Sequence, residues 1–130
     1  MPDPTKEDQV KNVLDEDLTP LEDVLACMVA RKNLEGIVSM SDQFKKEITP
    51  VWETLKGTMD ALFDVIGHYS EYGLDKVYFE LGKYDVMFFI LPGLDTALVA
   101  IVPALANRGL LEVELENARR RIIKILEEGK

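Results

Sequence analysis

The longest stretch of regular hydrophobic spacing in the chain runs from Ile48 to Tyr69. Apolar side chains recur there at steps of four and three residues, which places them in one stripe along a helix. The stripe comprises Ile48, Trp52, Leu55, Met59, Leu62, Ile66 and Tyr69, with Val51 and Phe63 beside it. Its width predicts a helix that packs across a sheet. Thr49 is a candidate N-cap, with Pro50 at the first helical position.

A third sector of this helix carries only small or slim side chains, namely Thr54, Gly57, Thr58, Ala61 and Val65. A glycine inside a helix costs about 1 kcal/mol relative to alanine, so it usually has a packing reason. We therefore expect this face to let a second helix approach closely. The alternative is that these residues border solvent or the chain's own core.

Alternation of side chains predicts several β-strands. Val24–Arg31, Lys83–Leu91 and Thr96–Val102 are apolar on both faces, which is typical of interior strands covered on both sides. A further strand begins at Ile37–Met40. It returns from a turn over 33–36, in which Gly36 is able to adopt positive φ.

The segment Lys76–Gly82 differs because only one of its faces is apolar. Val77, Phe79 and Leu81 lie on that face, and Lys76, Tyr78 and Glu80 lie on the other. This pattern is typical of a half-buried strand at the edge of a sheet.

Two further helices are predicted, a short one over Thr5–Leu14 and a long one over Leu110–Leu126. The element order is then α-β-β-α-β-β-β-α. Short links between consecutive strands imply an antiparallel sheet, so the expected fold is α+β, a five-stranded antiparallel sheet with helices packed on it. We assign residues 1–20 to a polar N-terminal segment that contains the short helix, and residues 21–128 to a single domain.

Composition narrows the range of partners and compartments. The net charge of -9 disfavours nucleic acid and anionic membrane surfaces. The single cysteine, Cys27, and the absence of a signal peptide favour a reducing cytoplasm. The apolar stretch from Val86 to Ala106 could be mistaken for a membrane span. Pro92, Gly93 and Asp95 lie within it, however, so we interpret it as two buried strands joined by a turn.

Candidate catalytic groups are few. His68 is the only histidine, and no nucleophile motif, phosphate-binding glycine loop or dinucleotide fingerprint accompanies it. One histidine and one cysteine cannot form a usual zinc site, and the acidic run Asp15–Asp17 lacks the glycine of a calcium loop. Asp60 and Asp64 share a helix face, but an exposed acidic face is common. We expect no enzyme, cofactor or metal, while a carboxylate-based enzyme remains a third alternative.

The succession of elements resembles the roadblock family, which is named for a dynein light chain and is related to longin-like and profilin-like folds. The resemblance covers residues 21–127. It rests on the hairpin tip 33–36, the long helix, and the strands 77–81, 86–90 and 96–102, followed by Asn107-Arg108-Gly109-Leu110-Leu111 at the opening of the last helix.

The resemblance implies a non-enzymatic adaptor or regulator that forms a homodimer or pairs with a paralogue, and that binds a Ras-like small GTPase. A longin-like or dynein-accessory scaffold in trafficking or complex assembly is the alternative. In relatives, the long helices and the third strands meet across a two-fold axis. The expected dimer interface here consists of Thr54, Gly57, Thr58, Ala61, Val65, Lys76, Tyr78 and Glu80.

Overall fold

The elements follow the expected order in the computed structural model, which describes residues 5–32, 34–40, 45–92 and 96–127. The helices are α1 (Lys6–Val13), α2 (Lys45–His68) and α3 (Arg108–Glu127), with a π-helical turn at Leu14–Leu18 and a 3₁₀ turn at Ser70–Tyr72. The strands are β1 (Ala26–Arg31), β2 (Leu34–Met40), β3 (Lys76–Glu80), β4 (Tyr84–Ile90) and β5 (Thr96–Pro103). The predicted α+β class is confirmed.

The strands form one five-stranded sheet in the order β2-β1-β5-β4-β3, with every neighbouring pair antiparallel. The three strands predicted to be apolar on both faces, β1, β5 and β4, occupy the middle of the sheet. The half-apolar strand β3 lies at one edge, as its alternation predicted.

Each face of the sheet is covered by a separate hydrophobic cluster. On one face, Met28, Phe88 and Ile101 pack with the stripe of α2. On the other, Phe89 and Leu98 pack with α1 and α3. Successive strand residues alternate between the two clusters, because side chains point to opposite faces of a strand in turn.

The N-terminal helix is part of the second cluster. Thr5 caps α1 in a capping box with Asp8. Val10 and Leu14 are fully buried in the same cluster as Leu115 on α3. The acidic run that follows is also engaged, since Asp17 pairs with Arg121 of α3 at 2.7 Å. The boundary placed at residue 20 stays a prediction, but the side chains before it contribute directly to the core.

Two local predictions were wrong. The helix α2 does not begin at Pro50, because Lys45 is already helical and Pro50 lies inside the helix. Burial of Ile48 in the core favours this earlier start. Gly36 lies within β2, and its φ is not positive. A Cβ on Gly36 would stand 2.5 Å from Cε of Met28, the flexible end of that side chain, and 3.3 Å from the carbonyl oxygen of Val29, so packing rather than turn geometry favours a glycine there.

Other predictions fall partly or wholly outside the described residues. Asn33, at the hairpin tip, and the turn residues 93–95 are among them. The strands on either side of that second turn are joined as expected, with the N–H of Leu91 donating to the carbonyl of Thr96 at 2.9 Å. None of the described helices is long and apolar enough to cross a membrane.

Candidate functional site

The edge strand β3 is incompletely covered on both of its faces. Its first four residues are half-buried and Glu80 is exposed, whereas the neighbouring strand β4 is buried from Asp85 onward. The difference arises because β3 lies at the end of the sheet, beyond the middle strands on which the helices pack.

On the face toward α3, polar contacts hold the side chains of β3. The Tyr78 hydroxyl donates to Oε1 of Glu112 at 2.9 Å. Burial and this hydrogen bond raise the pKa of Tyr78 to about 12. Nζ of Lys76 lies 2.9 Å from Glu116, and Glu80 lies 3.1 Å from Nη2 of Arg108.

On the opposite face, two apolar grooves lie between α2 and β3. The first, called here the Tyr69 groove, encloses about 310 Å³ and is lined by Leu62, Val65, Ile66, Tyr69, Leu74, Val77, Phe79 and Phe88. The second, called the Pro50 groove, encloses about 510 Å³ and is lined by Pro50, Val51, Thr54, Leu55, Thr58, Phe79, Leu81 and Val86. Phe79 is common to both grooves, so its ring separates them.

The helix wall of these grooves is apolar even where its residues are threonines. The Thr54 hydroxyl donates to the carbonyl of Pro50 at 3.0 Å, and that of Thr58 donates to the carbonyl of Thr54 at 3.0 Å. Because each hydroxyl is satisfied within the helix, the rest of each side chain adds apolar surface. Val65 and Leu81 are each 51% exposed beside them. A contiguous apolar surface of this kind marks an interaction site more often than isolated exposed residues do.

The predicted interface residues are distributed over three surfaces. Thr54, Thr58 and Val65 line the two grooves. Gly57 and Ala61 are exposed on α2 but line neither groove, and a Cβ on Gly57 would meet no atom of the described residues within 4 Å, apart from the backbone of its own helix and the adjoining residues.

The remaining three predicted residues, Lys76, Tyr78 and Glu80, lie on the far side of β3, toward α3. The structure therefore brings part of the predicted set together around the grooves and places the strand residues on the other face.

Sequence reasoning assigned Val77, Phe79 and Leu81 to the covered face of β3, and so missed that they line the grooves. The available signal was the small-residue sector of α2. Slim side chains on a helix leave space over whatever strand lies beneath them, and here that strand is β3.

A charged cluster fixes the start of β3 to α3. Arg119, which is largely buried, lies 2.8 Å from both Asp75 and Glu116, and its guanidinium carbon is 5.3 Å from the centre of the Phe89 ring. The hydrogen bond from Arg119 lowers the pKa of Asp75. Since Lys76 also pairs with Glu116, the cluster links the edge strand to α3 through charge-assisted contacts.

The described residues offer little for catalysis. No three of their histidine, cysteine, aspartate and glutamate side chains are grouped to hold a metal ion. Burial raises the pKa of Cys27 to about 12, which leaves the thiol without nucleophilic character near neutral pH. His68 is exposed at the end of α2. The α2–β3 surface, formed by the two grooves and the edge of β3, is the strongest candidate functional site.

No protein-family model matches the chain, and no curated protein matches it either. Among solved structures, the chain is similar to MglB of Myxococcus xanthus, with a TM-score of 0.68 and 20% identity. That match covers 98% of this chain and 94% of MglB. It is also similar to MglC of Myxococcus xanthus, with a TM-score of 0.67 and 15% identity, over 89% of this chain and 98% of MglC.

Both are roadblock/longin-like proteins, and the similarity extends over nearly the full length of each chain. The protein is therefore an α+β domain with the roadblock-type fold. This confirms the fold that the sequence resemblance implied.

Proposed function

We propose that this protein is a non-enzymatic homodimeric adaptor that regulates or scaffolds a Ras-like small GTPase in the cytoplasm. The observation that carries the proposal is the uncovered apolar α2–β3 surface at the edge of a roadblock-type sheet. The same elements, the long helix and the third strand, are those that the family resemblance places at a dimer interface.

The chemistry of the surface favours a protein partner. Its two grooves are lined almost entirely by apolar side chains, with exposed Val65, Tyr69 and Leu81 among them. Burying such side chains against another protein removes apolar area from water, at roughly 25 cal/mol per Å². An isologous contact would cover the same surface on two copies at once. A paralogue with the same fold is the alternative partner.

The GTPase is proposed from the roadblock resemblance and from the structural similarity to MglB and MglC. The charge of the chain is compatible with this role. A net charge of -9 favours a partner that presents a basic patch. With no catalytic group assigned to this chain, any effect on GTP hydrolysis would come from positioning the residues of the GTPase itself.

The dimer is tested by light scattering at micromolar concentration, where we expect about twice the monomer mass of 14.7 kDa. Gly57→Leu should shift the protein toward monomer, because a second helix could no longer approach that face. Among the described residues, and apart from the backbone of α2 and the adjoining residues, a Cβ at position 57 meets no atom within 4 Å, so loss of dimer in this variant would report on a partner.

Gly67→Leu is the matched control. Gly67 is also exposed in α2 with open space around it, but it is not one of the predicted interface residues. If Gly57→Leu has the same oligomeric state as Gly67→Leu and the unmodified chain, Gly57 is not at the contact. A monomeric unmodified protein refutes the homodimer.

The GTPase is tested by pull-down with candidate Ras-like GTPases loaded with GTP or with GDP. We expect retention that depends on the nucleotide. Equal retention in both states would favour a longin-like or dynein-accessory scaffold, and no retention of any candidate would contradict the regulatory role.

A further inference from the structure

The solvent face of α3 carries large apolar side chains near its beginning and cations further along. Leu110 is 58% exposed and Val113 is 55% exposed. Arg120 and Lys124 are exposed on the same helix, and the exposed Asn117 lies between the apolar residues and the cations. The steps between these five residues are three, four, three and four, so they form one stripe along the helix surface. This set is called here the α3 stripe.

The two cations of the α3 stripe have no carboxylate partner among the described residues, although carboxylates are abundant. The chain has 24 acidic and 15 basic residues. Arg120 and Lys124 nevertheless form no ion pair within the described part of the chain, so both are available to the carboxylates of a partner. Four other arginines are paired with carboxylates of the chain itself, namely Arg31, Arg108, Arg119 and Arg121.

Arg120 lies where two grooves between α3 and the sheet meet. One groove encloses about 470 Å³ and has Pro92 and Ile123 in its wall. The other encloses about 310 Å³ and has Val113 and Asn117 in its wall. Because Arg120 lines both, its guanidinium can be reached from either groove. The α3 stripe is therefore flanked by concave surface rather than standing on a smooth helix.

Three carboxylates also line these grooves, but each is already bound by groups of the chain. Of the described charged residues in the groove walls, Arg120 alone has no such partner. The grooves consequently offer a cation, rather than an anion, to whatever binds there. The three pairings are Asp75 with Arg119, Glu112 with Tyr78, and Glu116 with both Lys76 and Arg119.

We propose that the α3 stripe binds an amphipathic helix of a partner protein, acidic near its N-terminus and apolar near its C-terminus. The partner helix lies antiparallel to α3, so that its carboxylates meet Lys124 and Arg120 and its apolar side chains meet Val113 and Leu110. Acidic residues in the first turn of a helix also stabilise that helix through its dipole. Because α3 and α2 cover opposite faces of the sheet, this inference does not rest on the proposed dimer or GTPase.

A second copy of α3 does not fit the α3 stripe. Parallel packing of two copies would set the cations of one against the cations of the other. Antiparallel packing would set Leu110 and Val113 against Lys124 and Arg120, which forms no ion pair and removes charges from water without compensation. Since neither direction is complementary, the stripe favours a partner of different sequence.

An anionic membrane is also a poor match for the α3 stripe. Helices that lie on membrane surfaces are rich in Lys and Arg on their polar face, whereas this stripe contains two cations. The net charge of -9 adds repulsion from anionic lipids. The same repulsion disfavours a uniformly acidic partner, so the carboxylates of the bound helix are confined to the end that meets Arg120 and Lys124.

The probes for the test are two synthetic, fluorescently labelled helical peptides of about 18 residues, enough to span the α3 stripe. The acidic peptide carries two glutamates one turn apart near its N-terminus and two leucines one turn apart near its C-terminus, at the spacing of the stripe. The basic peptide has lysines in place of the glutamates. Fluorescence anisotropy should show tighter binding of the acidic peptide by about tenfold or more, because two ion pairs are replaced by two repulsions.

Charge reversal on α3 should invert this preference. Arg120→Glu combined with Lys124→Glu should weaken binding of the acidic peptide about tenfold or more and strengthen binding of the basic peptide. Lys46→Glu combined with Lys56→Glu is the matched control, since both residues are exposed on α2 and the change in net charge is the same. The control should leave the affinity of each peptide within about twofold of its original value.

The apolar half of the α3 stripe is tested with a matched pair of valines. Val113→Ala should weaken binding of the acidic peptide about threefold, because less apolar area is removed from water. Val65→Ala, at a valine of α2 that is 51% exposed, should leave the affinity unchanged. Because both valines are largely exposed, neither substitution should alter urea unfolding, which is measured alongside.

Each outcome either supports or overturns the inference. Preference for the acidic peptide that is inverted by charge reversal on α3, but not on α2, supports it. Equal binding of the two peptides, binding by neither, or equal effects of the α3 and α2 variants overturns it. Co-sedimentation with vesicles of phosphatidylserine and phosphatidylcholine that depends on Arg120 and Val113, without a preference between the peptides, would identify a membrane contact instead.

Discussion

Nη2 of Arg108, at the start of α3, lies 2.6 Å from Oδ2 of Asp85, a buried carboxylate on β4. The contact offsets the free-energy cost of burying the Asp85 carboxylate away from water. Arg108→Ala should lower the free energy of unfolding, because the buried carboxylate of Asp85 is left without its partner. Urea unfolding measures the change. Arg120→Ala, at an exposed arginine of the same helix, should change stability by less than about 0.5 kcal/mol. Equal effects of the two substitutions would contradict this role for Arg108.

The contribution of the N-terminal helix to the core is tested at Leu14. This side chain is fully buried among residues of α1, α3 and the sheet. Leu14→Ala should cost about 2–5 kcal/mol, the range for a buried leucine that leaves a cavity. The matched control is Leu110→Ala, since Leu110 is 58% exposed. If Leu14→Ala unfolds at the same urea concentration as the unmodified chain, the N-terminal segment is not packed as described.

The reactivity of Cys27 should report on unfolding. Burial raises the pKa of its thiol to about 12, and the sulfur is within 3.7 Å of the Thr19 hydroxyl. A thiol-specific reagent should therefore label the folded protein very slowly at neutral pH and label the urea-unfolded protein rapidly. Tyr72→Cys, at a residue whose side chain is 81% exposed, is the positive control. Rapid labelling of the unmodified folded chain would show that Cys27 is accessible.

The ion pair between Asp75 and Arg119 predicts how the free energy of unfolding depends on pH. The hydrogen bond from Arg119 lowers the pKa of Asp75 in the folded state. Because the pKa of Asp75 is lower in the folded than in the unfolded protein, its ionised carboxylate stabilises the fold at pH values above the unfolded pKa of about 3.9. This stabilisation is lost as the pH falls through the lower pKa of the folded protein. The difference in unfolding free energy between the unmodified chain and Asp75→Asn should therefore shrink on acidification below about pH 4.

Urea unfolding at a series of pH values measures that difference. Glu71→Gln is the control, because the exposed Glu71 forms no ion pair with any other described residue. If the difference in unfolding free energy between the unmodified chain and Asp75→Asn stays constant with pH, the ion pair does not contribute to stability as proposed.

Periodicity alone predicted most of the elements, for a physical reason. Ile48, Trp52 and Met59 follow the helical repeat, and they are buried together on α2 as expected. The alternation of Val77 and Tyr78 predicted an edge strand, and β3 lies at an edge. These signals are local, because side-chain direction depends only on the backbone repeat. Tyr69, the last residue of the predicted stripe, lies one residue beyond α2 and is 54% exposed, where it lines the Tyr69 groove.

Predictions made from neighbouring residues were incomplete where a contact between residues far apart in the sequence determines the structure. Proline is common at the first position of a helix, but α2 begins before Pro50, at Lys45. The earlier start is favoured because it places Ile48 in the core. The acidic run near the N-terminus likewise makes contacts that its composition does not predict. Asp15 accepts a hydrogen bond from the Ser39 hydroxyl at 2.5 Å, and Asp17 pairs with Arg121. Those partners lie far away in the sequence, so no window of neighbouring residues could reveal them.

The amino-acid sequence by itself determined which faces of each helix and strand are apolar, the antiparallel α+β architecture, and the slim face of α2. Only the tertiary structure decided that this slim face leaves two grooves open over Phe79. It likewise decided that β3 is the terminal strand of the sheet and that the side chains of Lys76, Tyr78 and Glu80 lie toward α3. Both features depend on the order of strands in the sheet. That order is set by pairings between residues far apart in the chain, which the local pattern of hydrophobic and polar positions does not encode.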